Sequence, residues 1–192
     1  MDGQILDCRG LACPQPVVET KKRLTGIREG PLTVLVDNET AKNNILKLAG
    51  SLRLEAAARP QDGDYAVTIE TVPAGEQAYG EMHGKALLIT SDVLGRGSKE
   101  LGALLMKSFL YALAESDRLP ESVTLLNSAV RLACNGSPVL DSLTKLESRG
   151  VIIESCGLCL DYFQLKESHQ AGQVTNMYAI VDQLLTTDTV IM

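Results

Sequence analysis

At 192 residues the chain is long for one compact domain and suits two of roughly 80 to 110 residues each. Its 45% hydrophobic content is enough for real cores, built on aliphatic packing because there are five Tyr, two Phe and no Trp. A net charge of −6 disfavours nucleic acid as the main partner, and no uncharged run approaches the ~20 residues that span a bilayer.

The N-terminus carries Asp2 and Asp7 rather than a basic region followed by an apolar one, so no secretory signal is read and the expected location is the cytoplasm. Five cysteines, at positions 8, 13, 134, 156 and 159, are an odd number without an export signal. That argues against a disulfide framework and for reduced thiols.

Gln4 to Asp7 reads as a first strand, and the Cys8-Arg9-Gly10 turn leads to a helix with Val17, Val18, Leu24 and Ile27 close to one face. Pro14 suits the first helical position, which places Cys13 at the cap, facing unpaired N–H groups and the positive end of the helix dipole. Both favour thiolate over thiol. Pro16 stiffens the same loop, whereas Lys21, Lys22 and Arg23 lie too far along to contribute; with Arg28 they read as a solvated face. A buried hydrophobic role for Cys13 is the alternative, but cysteine is a poor cap beside Ser, Asp or Asn.

Leu32 to Val36 is a β-favouring run, and a helix from about Thr40 would bury Ile45, Leu46, Leu48 and Leu52. Leu54 to Ala58 and Tyr65 to Val72, around a Pro60-to-Gly63 turn, read as a closing hairpin. The order β-α-β-α-β-β predicts a two-layer sandwich over residues 1–75. Residues 76–84 read as a linker, with His83 exposed rather than catalytic.

Over residues 85–192, strands at Lys85–Ser91, Val123–Asn127, Val151–Ser155 and Thr187–Met192 alternate with helices at Ser98–Glu115, Ser137–Arg149 and Thr175–Leu185. That alternation predicts a parallel sheet whose strand-end loops gather at one edge. Residues 92–97, 128–136 and 156–160 are such loops, so Cys134, Cys156 and Cys159 are expected on that edge, with Cys156 exposed. The Ser98–Glu115 helix is apolar nearly all round, which points to a homo-oligomer formed through its second face.

Cys156-Gly157-Leu158-Cys159 has the spacing of a redox dithiol or half a zinc site. Zinc would need Cys134 and His169 as well, and a thioredoxin-type motif follows an earlier strand. A buried structural pair is the bland alternative. Gly95-Arg96-Gly97 reads as a tight turn, because Glu100 replaces the third glycine of a dinucleotide fingerprint and no Walker lysine follows.

Leu6-Asp7-Cys8-Arg9-Gly10-Leu11-Ala12-Cys13-Pro14-Gln15-Pro16-Val17 resembles the Leu-Asp-x-x-Gly-x-x-Cys-Pro-x-Pro signature of the TusA/SirA family of small two-layer α/β sulfur carriers. The resemblance implies that Cys13 bears a persulfide, that Pro14 and Pro16 shape its loop with Asp7 and Gly10 in the motif, and that Cys8 has no role. Residues 85–192 resemble a DsrE-type domain, an oligomeric parallel α/β fold of sulfur-relay proteins, with Cys156 at the position of its reactive cysteine. Cys159 departs from the single-thiol pattern. The two halves together, with Ser155–Tyr162 and Val174–Tyr178, are similar to the YedF family of sulfurtransferase-like proteins associated with selenium metabolism.

The expectation is therefore a chalcogen carrier at Cys13, fed by a cysteine desulfurase or another sulfur or selenium donor protein and delivering to a downstream acceptor protein. The second half would supply an accepting thiol, Cys156 or Cys159, or a docking surface. Such exchange needs no metal or organic cofactor and no membrane or nucleic-acid partner. A dithiol reductase at Cys156 and Cys159, or a non-catalytic adaptor, are the rivals.

Overall fold

In strand β2 (Leu32–Val36) the side chains of Leu32, Val34 and Val36 are fully buried while Thr33 and Leu35 are half-buried, the period-two pattern of a sheet covered on one face. The computed structural model describes residues 4–27, 30–52, 54–70 and 84–192. Its contacts divide the chain into two units, Met1–Ala78 and Tyr79–Met192. Arg28, His83 and the proposed linker, apart from Gly84, lie outside the described residues.

The first unit runs β1 (Gln4–Asp7), α1 (Gln15–Gly26), β2, α2 (Glu39–Ser51), β3 (Ala56–Gln61) and β4 (Asp64–Ile69). Its sheet has the order β1-β2-β4-β3, with β1 parallel to β2 and the other pairings antiparallel. This is the β-α-β-α-β-β sandwich that the sequence predicts. On α2 the fully covered ridge is Ala41, Ile45 and Ala49, while Leu46, Leu48 and Leu52 are only half-buried. Small alanines one turn before and after Ile45 let the helix approach the sheet closely, so Ile45 is buried as expected while the ridge is completed by alanines rather than leucines.

The hairpin turn is also tighter than expected. Asp62 and Gly63 form it alone, with φ of 51° and 89°, the left-handed pair that suits a two-residue connection. Pro60 and Gln61 stay in β3, paired with Tyr65 and Asp64. β3 is an edge strand, where a missing N–H removes no ladder bond.

The second unit contains β5 (Lys85–Ile89), α3 (Lys99–Ala114), β6 (Ser122–Leu125), a 3-10 segment (Asn127–Ala133), α4 (Leu140–Ser148), β7 (Ile152–Cys156) and α5 (Gly157–Tyr162). A 3-10 turn (Lys166–Ser168), β8 (Gln173–Thr175), α6 (Met177–Thr186) and β9 (Asp188–Ile191) complete it. All pairings are parallel, in the order β8-β7-β6-β5-β9. Ser122 and Thr124 of β6 are buried beneath α6, where the Gln183 amide donates to Ser122 Oγ at 2.6 Å and accepts from Thr124 Oγ1 at 2.9 Å. Val123 and Leu125 alternate to the other face. They join the main core with Met106 and Leu110 of α3 and Leu143 and Leu146 of α4.

Two elements differ from expectation. The helix expected from Ser137 begins at Leu140, preceded by the 3-10 segment in what reads as a loop. Strand β8 has three residues, too short to show a period. Along α3, Gly102, Met106, Leu110 and Ala114 are buried and Phe109 and Leu113 pack against the core, while Leu101, Leu104 and Leu105 are exposed.

Candidate functional site: the Cys13 loop and the paired thiols

β1 ends at Asp7 and the chain leaves the sheet through Cys8 to Pro14 before entering α1. Polar contacts hold the start of this loop. The Arg9 guanidinium donates to both Asp7 carboxylate oxygens, at 2.6 and 2.9 Å, and to Asp64 at 3.3 Å, so one cation bridges the end of β1 and the start of β4. The Gly10 N–H donates to the Asp37 carboxylate at 2.6 Å, and Gly10 has φ of 74°, where a side chain is strained. Asp37 follows β2 directly, and Asn38 beside it caps α2 by accepting from the Ala41 N–H at 2.8 Å. Arg9 holds the Asp7 carboxyl at a pKa of about 2. Asp37 is lowered mainly by the Gly10 N–H.

The loop presents one thiol and hides another. Cys13 is exposed, with the Asn44 amide of α2 directed at its sulfur from 4.0 Å. Cys8 is 1% exposed within the sandwich core, and desolvation, reinforced by Glu19 and Asp7, raises its pKa to about 11. The helix start corrects the sequence reading. Pro14, joined to Cys13 by a cis peptide bond, is itself the cap, and Pro16 falls at the second helical position. Cys13 stands one residue outside. The Gln15 N–H bonds to Ala12 O, and those of Val17 and Val18 bond to Pro14 O, so the unpaired donors expected to face the sulfur are already engaged.

In the second unit, Cys134 follows β6, Cys156 ends β7 and Cys159 follows it, but the three do not form one cluster. Cys134 is buried, donates to Val130 O at 3.2 Å and has its pKa raised by desolvation. Cys156 is the last residue of β7 and 1% exposed, contrary to the exposure expected at a strand end. β8 continues the sheet beside it, pairing Thr175 with Cys156, and α5 starts immediately after, so both cover it. Cys159 is half-buried, and the Asn127 N–H donates to its sulfur at 3.1 Å. Its pKa is raised by desolvation first, then by Cys156, with the Asn127 bond opposing. His169 Nε2 pairs with Ser155 Oγ at 3.1 Å, and burial lowers its pKa. Among the described residues no three His, Cys, Asp or Glu side chains gather to hold a metal, and no helix is long and apolar enough to cross a membrane.

The family model described as Sulfurtransferase TusA matches residues 4–71, which takes in the whole Cys13 loop and its anchors. "Putative sulfur carrier protein YrkI" of Bacillus subtilis (strain 168) is 34% identical over 62 residues, 32% of this chain and 83% of that protein. The chain belongs to the TusA family.

Among solved structures, the SirA-like protein from Desulfitobacterium hafniense is 36% identical, covering 38% of this chain and 97% of that one at a TM-score of 0.33. The ychN protein of E. coli is 16% identical, covering 56% of this chain and 97% of that one at a TM-score of 0.44.

Within the TusA unit the structure adds residues that the sequence reading did not single out. Asp37 and Asp64 are distant in sequence from the motif they hold, and Asn44 approaches Cys13 from α2. A carboxylate at the end of β2 beside a capping asparagine was the available signal for Asp37. Asp7 and Gly10, expected from the motif, are the partners through which Arg9 and Asp37 act.

Proposed function

We propose that this TusA-family chain is a chalcogen carrier whose Cys13 thiolate attacks the outer sulfur of a donor persulfide, R–S–SH. The new bond makes Cys13–S–SH, the donor S–S bond breaks, and the donor leaves as R–S⁻. The observation that carries this reading is exposure: of five thiols, Cys13 alone is exposed, on a loop tied at Gly10 and Arg9, while its neighbour Cys8 is buried and held as thiol. Selenium in the outer position would follow the same path.

A cysteine desulfurase or similar donor protein loads Cys13, and an acceptor protein unloads it, in the cytoplasm where thiols stay reduced. Residues 1–75 form the carrier and residues 85–192 a DsrE-like partner unit that contributes a thiol or a docking surface. The exposed Leu101, Leu104 and Leu105 of α3 support self-association through that unit. Exposure to a cysteine desulfurase and cysteine, followed by peptide mass mapping, tests the carrier reading through mass gained at Cys13.

A further inference from the structure

Carriage on Cys13 leaves one chemistry-bearing motif unused, the turn from Cys156 to Cys159. Its thiols differ in access. Cys159 lines a cleft of about 310 Å3 walled by Leu126, Leu158, Tyr162 and Phe163. Cys156 is buried three residues back, at the end of β7, close enough to help raise the Cys159 pKa. The Asn127 N–H, donated at 3.1 Å, stabilises negative charge on the Cys159 sulfur. Aromatic and aliphatic walls suit a polarisable sulfur atom. An accessible sulfur with a second sulfur held in reach, away from solvent, is arranged for attack followed by resolution.

We propose that the second unit is a dithiol reductase of sulfane sulfur, the zero-valent outer sulfur of a persulfide. The Cys159 thiolate attacks the outer sulfur of R–S–SH, forming Cys159–S–SH and releasing R–S⁻, which takes up a proton. The Cys156 thiol then loses its proton and attacks Cys159 Sγ. The S–S bond to the outer sulfur breaks, hydrosulfide leaves with the electron pair, and a Cys156–Cys159 disulfide remains. Two electrons pass from the dithiol to the sulfane sulfur, so one turnover needs no other reductant. This chemistry does not rest on Cys13.

The test uses reduced full-length chain without oxygen, in two arms that separate a small persulfide from a protein-borne one. In the first, the Cys13→Ser chain receives glutathione persulfide; in the second, native chain is loaded by cysteine desulfurase and cysteine and then freed of both. Sulfide is read with methylene blue and cysteine pairing by peptide mapping. One sulfide and one Cys156–Cys159 disulfide per chain are expected in the first arm, lost with Cys159→Ser and halted at a Cys159 persulfide with Cys156→Ser. Sulfide and disulfide in the second arm alone would support the same chemistry with a protein-borne substrate. No sulfide in either arm while Cys13 is demonstrably loaded overturns the reductase and leaves the carrier intact. A Cys159 persulfide that persists beside an unmodified Cys156 thiol overturns it equally. The disulfide map of the Cys13→Ser chain does not depend on either further variant folding.

Discussion

The Asp37 carboxylate accepts the Gly10 N–H at 2.6 Å and so ties the Cys13 loop to the end of the neighbouring parallel strand. Asp37→Ala removes that tie without touching the sulfur. Loading of Cys13 should slow by roughly tenfold or more, within the about 100-fold that a 1 Å misplacement can cost. Asp37→Asn keeps an acceptor oxygen and should recover most of the rate. Desulfurase-coupled loading time courses on both variants check this.

The same anchors set the pH range of the first unit. Arg9 holds Asp7 at about 2 and the Gly10 N–H lowers Asp37, both below the ~3.9 of an unfolded aspartate. Their stabilisation is present above the unfolded value and is lost as pH falls through the folded values. Cys8 works in the opposite sense. Its folded pKa of about 11 exceeds the ~8.5 of an unfolded thiol, so its contribution is full below the unfolded value and is lost as pH rises through the folded one. Urea unfolding of this unit at a series of pH values should show a plateau between about pH 4 and 8.5 with a fall on each side, and Cys8→Ala should remove most of the alkaline fall.

Alkylation should separate the thiols by burial. Iodoacetamide at neutral pH should modify Cys13 first in the folded chain, Cys159 more slowly because its pKa is raised, and Cys8, Cys134 and Cys156 only on unfolding. Modification of Cys159 should accelerate as pH rises. Peptide mapping at timed intervals reads the order.

Two substitutions on α3 distinguish a surface from a core. Leu105 is exposed, so Leu105→Glu should leave the fold unchanged and dissociate any oligomer formed through this helix, as read by light scattering. Phe109 packs against the core, so Phe109→Glu should destabilise the unit by about 3 kcal/mol or more. A loss of oligomer with Phe109→Glu alone would report unfolding rather than an interface.

Most elements were legible because strands such as Leu32–Val36 are β-favouring runs and helices such as α3 carry long apolar faces. The motif cysteine was legible for the same local reason, as a thiol beside two prolines before a helix. What escaped the reading depends on distant neighbours. Pro60 sits in a strand only because β3 is an edge, and Cys156 is buried because a three-residue strand and a short helix cover it. Asp37 is matched to Gly10 by strand pairing, which no local period reveals. The helix start shifted by one residue because Pro14 can itself serve as cap, which leaves exposure rather than unpaired N–H groups as the structural support for Cys13.

The most direct test of the central claim is a peptide mass map of the full chain after incubation with a cysteine desulfurase and cysteine, read beside the Cys13→Ser variant. The carrier account predicts an added sulfur on the Cys13 peptide of the native chain, removed by dithiothreitol, and no desulfurase-dependent loading in the variant. A Cys13 that stays unmodified while Cys159 or another thiol gains sulfur equally in both chains would contradict it.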